Sequence, residues 1–154
     1  MKLKHAIVAL TAFALSSAVL AQVKPEQQIK WRQSVMQVQS WSMARVKANV
    51  EGTYNKDQVI QAANLLQATA NGGLGSLFPA GTEKGSGWHE TRAKPEMFTD
   101  GDKVRELAGA FAKEANELAK VAASGDAAAV KAQFGKVGQA CKGCHDKFQA
   151  EEKK

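Results

Sequence analysis

Apolar side chains recur at helical spacing in four separate segments of the chain, and this pattern limits the possible folds more than any other feature. The first segment begins at Pro25 and ends near Gly52, and it carries four apolar residues spaced seven apart: Ile29, Met36, Met43 and Val50. No segment shows the two-residue alternation, bounded by hairpin turns, that is typical of strands. The sequence therefore predicts an all-α protein.

Three further helices are predicted after the first. The second runs from about Asn55 to Asn71, the third begins near Asp100, and Asp126 caps the fourth, which continues to Phe148. The links within the first pair and within the last pair of helices are only a few residues long, so each pair should be antiparallel. The predicted fold is an antiparallel up-down-up-down four-helix bundle.

The second and third helices are joined by a much longer connection, residues 72–99. Loops of this length are usually either functional or disordered. This loop contains large apolar side chains: Leu74, Leu77, Phe78, Trp88 and Phe98. We therefore expect it to pack against the helices.

Residues 1–21 have the pattern of a bacterial secretory signal. Lys2 and Lys4 precede an apolar run, and small residues lead to Ala21, after which cleavage is expected. The mature domain would span residues 22–154 and reside in the periplasm. Without the two lysines the formal charge falls from +6 to +4 and is spread along the chain, which argues against nucleic-acid binding.

Both cysteines of the chain lie in one motif, CKGCH, which contains Cys141, Cys144 and His145 on the predicted inward face of the fourth helix. Cysteines at this spacing project to one side of a helix, where each can form a thioether with a haem vinyl group while the histidine binds iron. The CxxCH pattern is the signature of c-type haem attachment. We therefore predict one covalent haem c near the C-terminus of helix four, with His145 as the iron ligand.

Other uses of the cysteine pair fit the sequence less well. A structural zinc site needs four ligands, and His89 is the only other histidine of the mature chain. A redox-active pair belongs at a helix N-terminus, where the helix dipole lowers the thiol pKa, whereas this pair lies near a C-terminus. Gly135 and Gly138 precede the motif and indicate close approach of a flat ring or of a neighbouring helix, unless the helix simply packs loosely.

The motif and its setting resemble the cytochrome c′ family. The resemblance extends over almost the whole mature chain and includes the segments KPEQQIKWRQSVM, FPAGTE, AKPEMF and VGQACKGCHDKF. It implies a haem buried within one bundle, five-coordinate and high-spin, with NO and CO as ligands. It also implies a homodimer formed through the first two helices.

The same resemblance assigns roles outside the CKGCH motif. It implies that Arg32 and Gln33 lie beside the haem, with the arginine near the propionates, and that Glu90 and Thr91 lie at the haem edge. The residue type alone favours a buried anion beside an inward Arg32, although a guanidinium that snorkels to the bundle end is the alternative. Gln149 stands where the family commonly has a basic residue, so proximal ligand chemistry of relatives is not implied here.

Met36 distinguishes two functions. In the family the matching position carries a bulky apolar side chain over the distal face of the iron, and methionine can fill that position without ligation. Its sulfur can also bind haem iron, as in related low-spin electron carriers. The leading prediction is a protein that binds NO, protects the cell from it and is capable of electron transfer. The alternative is an electron-transfer cytochrome with Met36 as the sixth ligand and an unidentified redox partner.

Enzymatic activity is not expected. A peroxidase would need a distal acid or base, and helix one offers no histidine, so only weak reduction of NO is left open. Large apolar residues lie off the inward stripe of helix one and predict either a dimer surface or packing under the long loop: Trp31, Val38 and Trp41.

Overall fold

The computed structural model describes residues 23–151, and the predicted signal sequence lies outside this range. Within these residues the elements are α1 Pro25–Glu51, α2 Lys56–Asn71, a 3-10 turn Leu74–Leu77, α3 Glu96–Thr99, α4 Gly101–Ser124 and α5 Ala127–Phe148. Because α3 is a single turn, four long helices make up the bundle. The predicted all-α architecture and the boundaries of the four long helices are confirmed.

The four long helices form a closed ring in which α1 contacts α2, α2 contacts α4, α4 contacts α5, and α5 contacts α1. Polar side-chain caps mark where α2 and α5 begin. Asn55 accepts a hydrogen bond from the backbone N–H of Gln58 at 3.0 Å, and Asp126 accepts from two N–H groups in the first turn of α5. Gly125 takes a φ of +80°, which lets the chain reverse between α4 and α5.

Apolar side chains from all four long helices form the core. The fully buried members include Val46, Val59, Leu66, Leu118, Val130 and Val137. Burial of one such side chain contributes roughly 1.5–3 kcal/mol relative to an exposed position. The helical period read from the sequence therefore corresponds to a packed interior.

The inward face of α1 differs from the apolar stripe that the sequence predicts. Ile29 is fully buried, as expected, but Met36 and Met43 are only partly buried. Polar residues of α1 are buried instead: Arg32, Gln33, Gln39, Ser42 and Asn49. The reason is that both methionines line a cavity, while several of the polar side chains pair with the long loop or with backbone carbonyls of α1.

The loop of residues 72–99 packs against the bundle, as predicted, and the rings of Phe78 and Phe98 meet edge to face at 6.1 Å. Trp88 is not buried with them, because 69% of its surface is exposed and its Nε1 donates to Ser34 Oγ at 3.0 Å on the outside of α1. The expectation that Trp88 helps to bury the loop is therefore wrong. None of the helices in residues 23–151 is both long and apolar enough to cross a membrane.

Candidate functional site

A cavity of about 560 Å³ lies between α1, the long loop, α4 and α5. Its lining brings together most of the predicted site residues: Arg32, Gln33, Met36, Thr91, Cys141, Cys144 and His145. Glu90 is exposed and lies outside this lining, so its place at the haem edge stays a prediction. The volume falls within the range of roughly 300–1,000 Å³ that is typical of ligand and cofactor sites.

Both cysteines of the CKGCH motif line the cavity from α5. Cys141 and Cys144 are half-buried and are not joined by a disulfide. Burial raises the pKa of both thiols, and the neighbouring Cys144 raises that of Cys141 further. The thiols are therefore protonated near neutral pH, which argues against a redox-active thiolate.

His145 lies one turn after Cys141 and lines the same cavity. The side chain keeps an exposed surface, yet burial by surrounding atoms lowers the pKa of its imidazole and the positive charge of Arg92 lowers it further. Asp146 acts in the opposite direction and more weakly. The imidazole is therefore neutral at physiological pH, which is the form that binds a metal.

These three residues fit a covalently attached haem. Two protonated thiols and a neutral imidazole share one face of α5, beside a cavity of suitable size. In the part of the chain that the structure describes, no group of three or more His, Cys, Asp or Glu side chains is arranged to hold a bare metal ion.

Arg32 lies at one side of the cavity with its guanidinium almost fully buried. Nη1 donates to Thr82 Oγ1 at 2.8 Å, while Nη2 donates to Thr82 O at 2.7 Å and to Thr91 Oγ1 at 2.6 Å. The rings of Phe78 and Phe98 lie 5.0 and 5.8 Å from its Cζ. Burial lowers the pKa of Arg32 and the charge of Glu83 partly offsets this, so an anion in the cavity would be favoured beside it.

Gln33 attaches the long loop to α1. Its Nε2 donates to His89 O at 2.9 Å, and its Oε1 accepts from the backbone N–H of Trp88 at 2.7 Å. A Cβ on Gly87 would lie 2.5 Å from Gln33 Oε1 and 2.6 Å from Lys30 N, so the loop can cross α1 this closely only with glycine there. The sequence placed Gln33 beside the haem by resemblance but did not reveal this contact with the loop.

The end of the long loop is fixed to the chain that leaves α5, shortly after His145. Ala150 N donates to Arg92 O at 2.8 Å, and Arg92 Nε donates to Ala150 O at 2.9 Å. Arg92 thereby brings a positive charge close enough to act on the imidazole of His145. No local motif marks Arg92, so the sequence analysis missed it. Gln149 lines the same cavity.

The remaining wall of the cavity is largely apolar. It includes Met36 and Met43 from α1, Val104, Leu107 and Phe111 from α4, and Gly138 from α5. A Cβ on Gly138 would meet no protein atom within 4 Å, so a neighbouring helix does not explain this glycine, whereas a flat group in the cavity would. Gly135 is exposed with equally open space around it, and nothing in the structure explains it.

A second concave region, a more open groove of about 980 Å³, lies between α4 and α5. Its lining is rich in charged residues, and its one buried side chain, Gln133, donates to the backbone and carboxylate of Glu114 at 3.0 and 2.7 Å. The groove contains none of the predicted site residues. The smaller cavity is therefore the candidate site.

A four-helix bundle whose last long helix carries CxxCH beside a cavity defines a class, the helical-bundle c-type haem proteins. The family model Cytochrome C′ matches residues 27–149. The chain is 68% identical over 126 residues to cytochrome c′ from Rhodocyclus tenuis. The matched residues make up 81% of this chain and 95% of the relative. The chain therefore belongs to the cytochrome c′ family, and its cofactor is covalently bound haem c.

Solved structures agree with this assignment. Cytochrome c′ from Thermochromatium tepidum superposes with a TM-score of 0.81 at 48% identity, over 85% of this chain and 100% of that one. A cytochrome c′ described as having ligand-controlled dimer dissociation superposes with a TM-score of 0.82 at the same identity and coverage. More distant structures of single-residue variants of the Alcaligenes xylosoxidans protein, 28% identical with TM-scores of 0.75 and 0.74, contain nitric oxide or carbon monoxide.

Proposed function

We propose that the mature chain is a periplasmic haem c protein that binds NO and CO at a five-coordinate, high-spin iron and protects the cell from NO. The observation that carries this proposal is the cavity, which joins Cys141, Cys144 and His145 to an apolar wall. The nitric oxide and carbon monoxide complexes formed by variants of the Alcaligenes xylosoxidans relative support the same ligands for this chain.

Three residues of the CKGCH motif have a role in this proposal. When bound, haem c supplies an iron that can take a small ligand. Cys141 and Cys144 would hold the ring through thioether bonds, and the neutral imidazole of His145 would bind the iron. The hydrogen bonds between Arg92 and Ala150 join the end of the long loop to the chain just beyond the end of α5 that carries His145.

Residues at the loop side of the cavity would hold the polar edge of the ring. We propose that the guanidinium of Arg32 pairs with a haem propionate, because it is buried, positively charged and fixed in direction by Thr82 and Thr91. Gln33 would act through the loop, which it holds against α1. Glu90 and Thr91 would lie at the haem edge, as the resemblance implies.

The apolar wall favours small neutral ligands. Met36, Leu107 and Phe111 offer no hydrogen-bond partner, so water and anions would lose hydrogen bonds on entering next to them. We propose that NO and CO enter at this wall. We propose no enzymatic activity, and only weak reduction of NO is left open.

The absorption spectrum of the ferrous protein, recorded before and after addition of CO, tests this function. We expect a high-spin spectrum that changes on CO binding. A low-spin, six-coordinate spectrum without added ligand would favour the second candidate, an electron carrier with Met36 on the iron. That candidate rests on the observation that Met36 lines the cavity. The variant Met36→Leu separates the two, because it removes the sulfur and keeps the apolar bulk.

We further propose that the chain forms a homodimer through α1 and α2. Three large apolar side chains on α1 are 44%, 36% and 52% exposed: Trp31, Val38 and Trp41. The long loop does not cover them, so packing under the loop does not account for them. The dimer dissociation described for a relative supports this proposal. Sedimentation should give a dimer for the wild type and a monomer for Trp41→Glu, and a monomeric wild type at high concentration would contradict it.

The periplasmic location rests on residues 1–21, which lie outside the described residues. Export would place the protein where c-type haem attachment and exposure to external NO both occur. Mass analysis of the protein purified from the periplasm should give a chain that begins at Gln22 and carries one haem. A chain that retains Lys2 and Lys4 would contradict this location.

A further inference from the structure

The C-terminal end of α5 lies close to His145 in the chain, so the way this end is held bears on the iron ligand. α5 ends at Phe148, three residues after His145. The hydrogen bond from Gln149 N to His145 O, at 2.9 Å, closes the last turn. Helix ends fray, and their last carbonyl groups need partners from outside the helix. The position of His145 therefore depends on what those partners are.

The long loop supplies the partners at this end. In a longer helix, the N–H of Ala150 would donate to the carbonyl of Asp146. Here Ala150 N donates to Arg92 O instead, at 2.8 Å. The carbonyl of Asp146 accepts from Lys94 Nζ at 3.1 Å, and Lys94 N donates to Phe148 O at 2.8 Å. Lys94 therefore provides donors to two backbone carbonyls in the last turn of α5.

The ammonium group of Lys94 is well suited to this place. A cation at the C-terminus of a helix interacts favourably with the partial negative charge of the carbonyl groups there. Lys142 is a second cation near this end, and its Nζ pairs with the carboxylate of Asp146. The two lysines thus contact the same residue in different ways. Lys94 contacts its backbone, whereas Lys142 contacts its side chain.

We propose that Lys94 is a positioning residue for His145, whose ammonium group fixes the last turn of α5 and thereby the direction of the imidazole that binds the iron. This inference rests on the proposed role of His145 as the iron ligand and makes that role more specific. Groups around a metal ligand set its orientation and its bond to the metal. Lys94 lies outside the lining of the cavity, so it acts through the backbone of Asp146, the residue that follows the ligand.

The iron–histidine stretching band of the ferrous protein, measured by resonance Raman spectroscopy, tests this role. Lys94→Met keeps the apolar stem and removes the ammonium group, so the band should shift and broaden. Exchange of the Gln149 N–H with solvent should become roughly five-fold faster in the haem-loaded variant, as expected for the loss of one hydrogen bond. Lys94→Arg keeps the charge and the donors and should restore both properties. Lys142→Met is the matched control, because it removes an equal charge beside the same residue, and it should leave both at their wild-type values.

Other outcomes separate this inference from the proposed function. An unchanged band in Lys94→Met, or equal changes in Lys142→Met, would overturn the inference while the protein still binds CO. Faster exchange with an unchanged band would show a structural role alone, which also contradicts the inference. A ferrous wild type without an iron–histidine band would contradict the five-coordinate iron. The haem methyl shifts in the proton NMR spectrum of the ferric protein, which follow the direction of the imidazole, would then decide the inference by whether they change in Lys94→Met and not in the control.

Discussion

The interface between α2 and α4 and the cavity face of α1 bury their side chains in different ways. Between α2 and α4 the interior is filled by small and aliphatic residues that are fully buried: Ala62, Ala63, Leu66, Ala115, Leu118 and Ala122. On α1, Arg32 and Gln39 are buried while Met36 is only partly covered. In the first region, protein atoms alone fill the interior. In the second region, the group that binds in the cavity fills the remaining space, so mutations in the two regions should affect stability and ligand binding differently.

Loss of haem attachment should have the largest effect, and it should fall on the cavity side. Replacing Cys141 and Cys144 by Ser should abolish covalent haem, measured by mass analysis of the denatured protein. Loss of a tightly bound group that binds only the folded state should lower the free energy of unfolding by about 4 kcal/mol or more. Lys142→Ser is the control, because this exposed residue lies within the motif without altering its pattern. A covalent tetrapyrrole in the double variant would contradict the assignment.

Truncation of one side chain in each region should separate stability from ligand binding. Leu118→Ala should lower the free energy of unfolding by about 2–5 kcal/mol, because the side chain is fully buried among protein atoms. Met36→Ala should cost only about 1 kcal/mol, since the partly covered side chain already borders open space. Met36→Ala should instead speed CO binding. Denaturant unfolding and CO mixing measure these effects, and equal losses of stability would remove the distinction.

The hydrogen bonds of Arg32 should contribute more to the stability of the folded protein than an exposed ion pair does. Arg32→Met keeps the apolar stem but removes the three hydrogen bonds that the guanidinium donates to Thr82 and Thr91, so we expect a loss of about 1–3 kcal/mol in the haem-loaded protein. Arg105→Met removes a surface pair with Asp102 and should change stability by less than about 1 kcal/mol. Thermal unfolding compares the two variants. A larger effect at Arg105 would show that the cavity face does not depend on this network.

Charge near His145 should tune the haem iron with a smaller effect. The guanidinium of Arg92 acts on the imidazole and disfavours additional positive charge beside it. Arg92→Gln should therefore favour ferric iron and lower the midpoint potential, by a few tens of millivolts after screening by solvent. Lys84→Gln is the control, since Lys84 is an exposed lysine of the same loop. A raised potential, or equal shifts in both variants, would contradict this role for Arg92.

The helices could be predicted from the sequence because their determinants are local. The apolar period, the caps at Asn55 and Asp126 and the glycine that ends α4 act within a few residues of one another, and each is present in the structure. The CKGCH motif is local in the same sense, so its three residues were found to line one cavity. Local sequence features were therefore enough to predict the helices α2 and α4 that form the packed interface, and the residues that attach the haem.

The loop side of the site could not be predicted in this way. Thr82 and Arg92 act on residues 50 or more positions away in the chain, and nothing in their immediate surroundings marks them. Gln39 was not singled out either, because a glutamine on an amphipathic helix reads as a solvent-exposed residue. Its burial follows from how α1 packs beside the cavity, which is a tertiary property.

Trp88 should give the smallest effect of the changes considered, despite its size. Its ring is mostly exposed, and its contacts are one hydrogen bond to Ser34 and the Nζ of Lys30 at 5.1 Å from the ring. Trp88→Ala should therefore cost less than about 1 kcal/mol by thermal unfolding, and Trp88→Phe should recover part of that loss through the ring. If Trp88→Ala instead lowered the free energy of unfolding as much as Leu118→Ala, the outer surface of the loop would contribute as much to stability as the packed core. The difference in stability would then not separate the packed interface of α2 and α4 from the rest of the molecule.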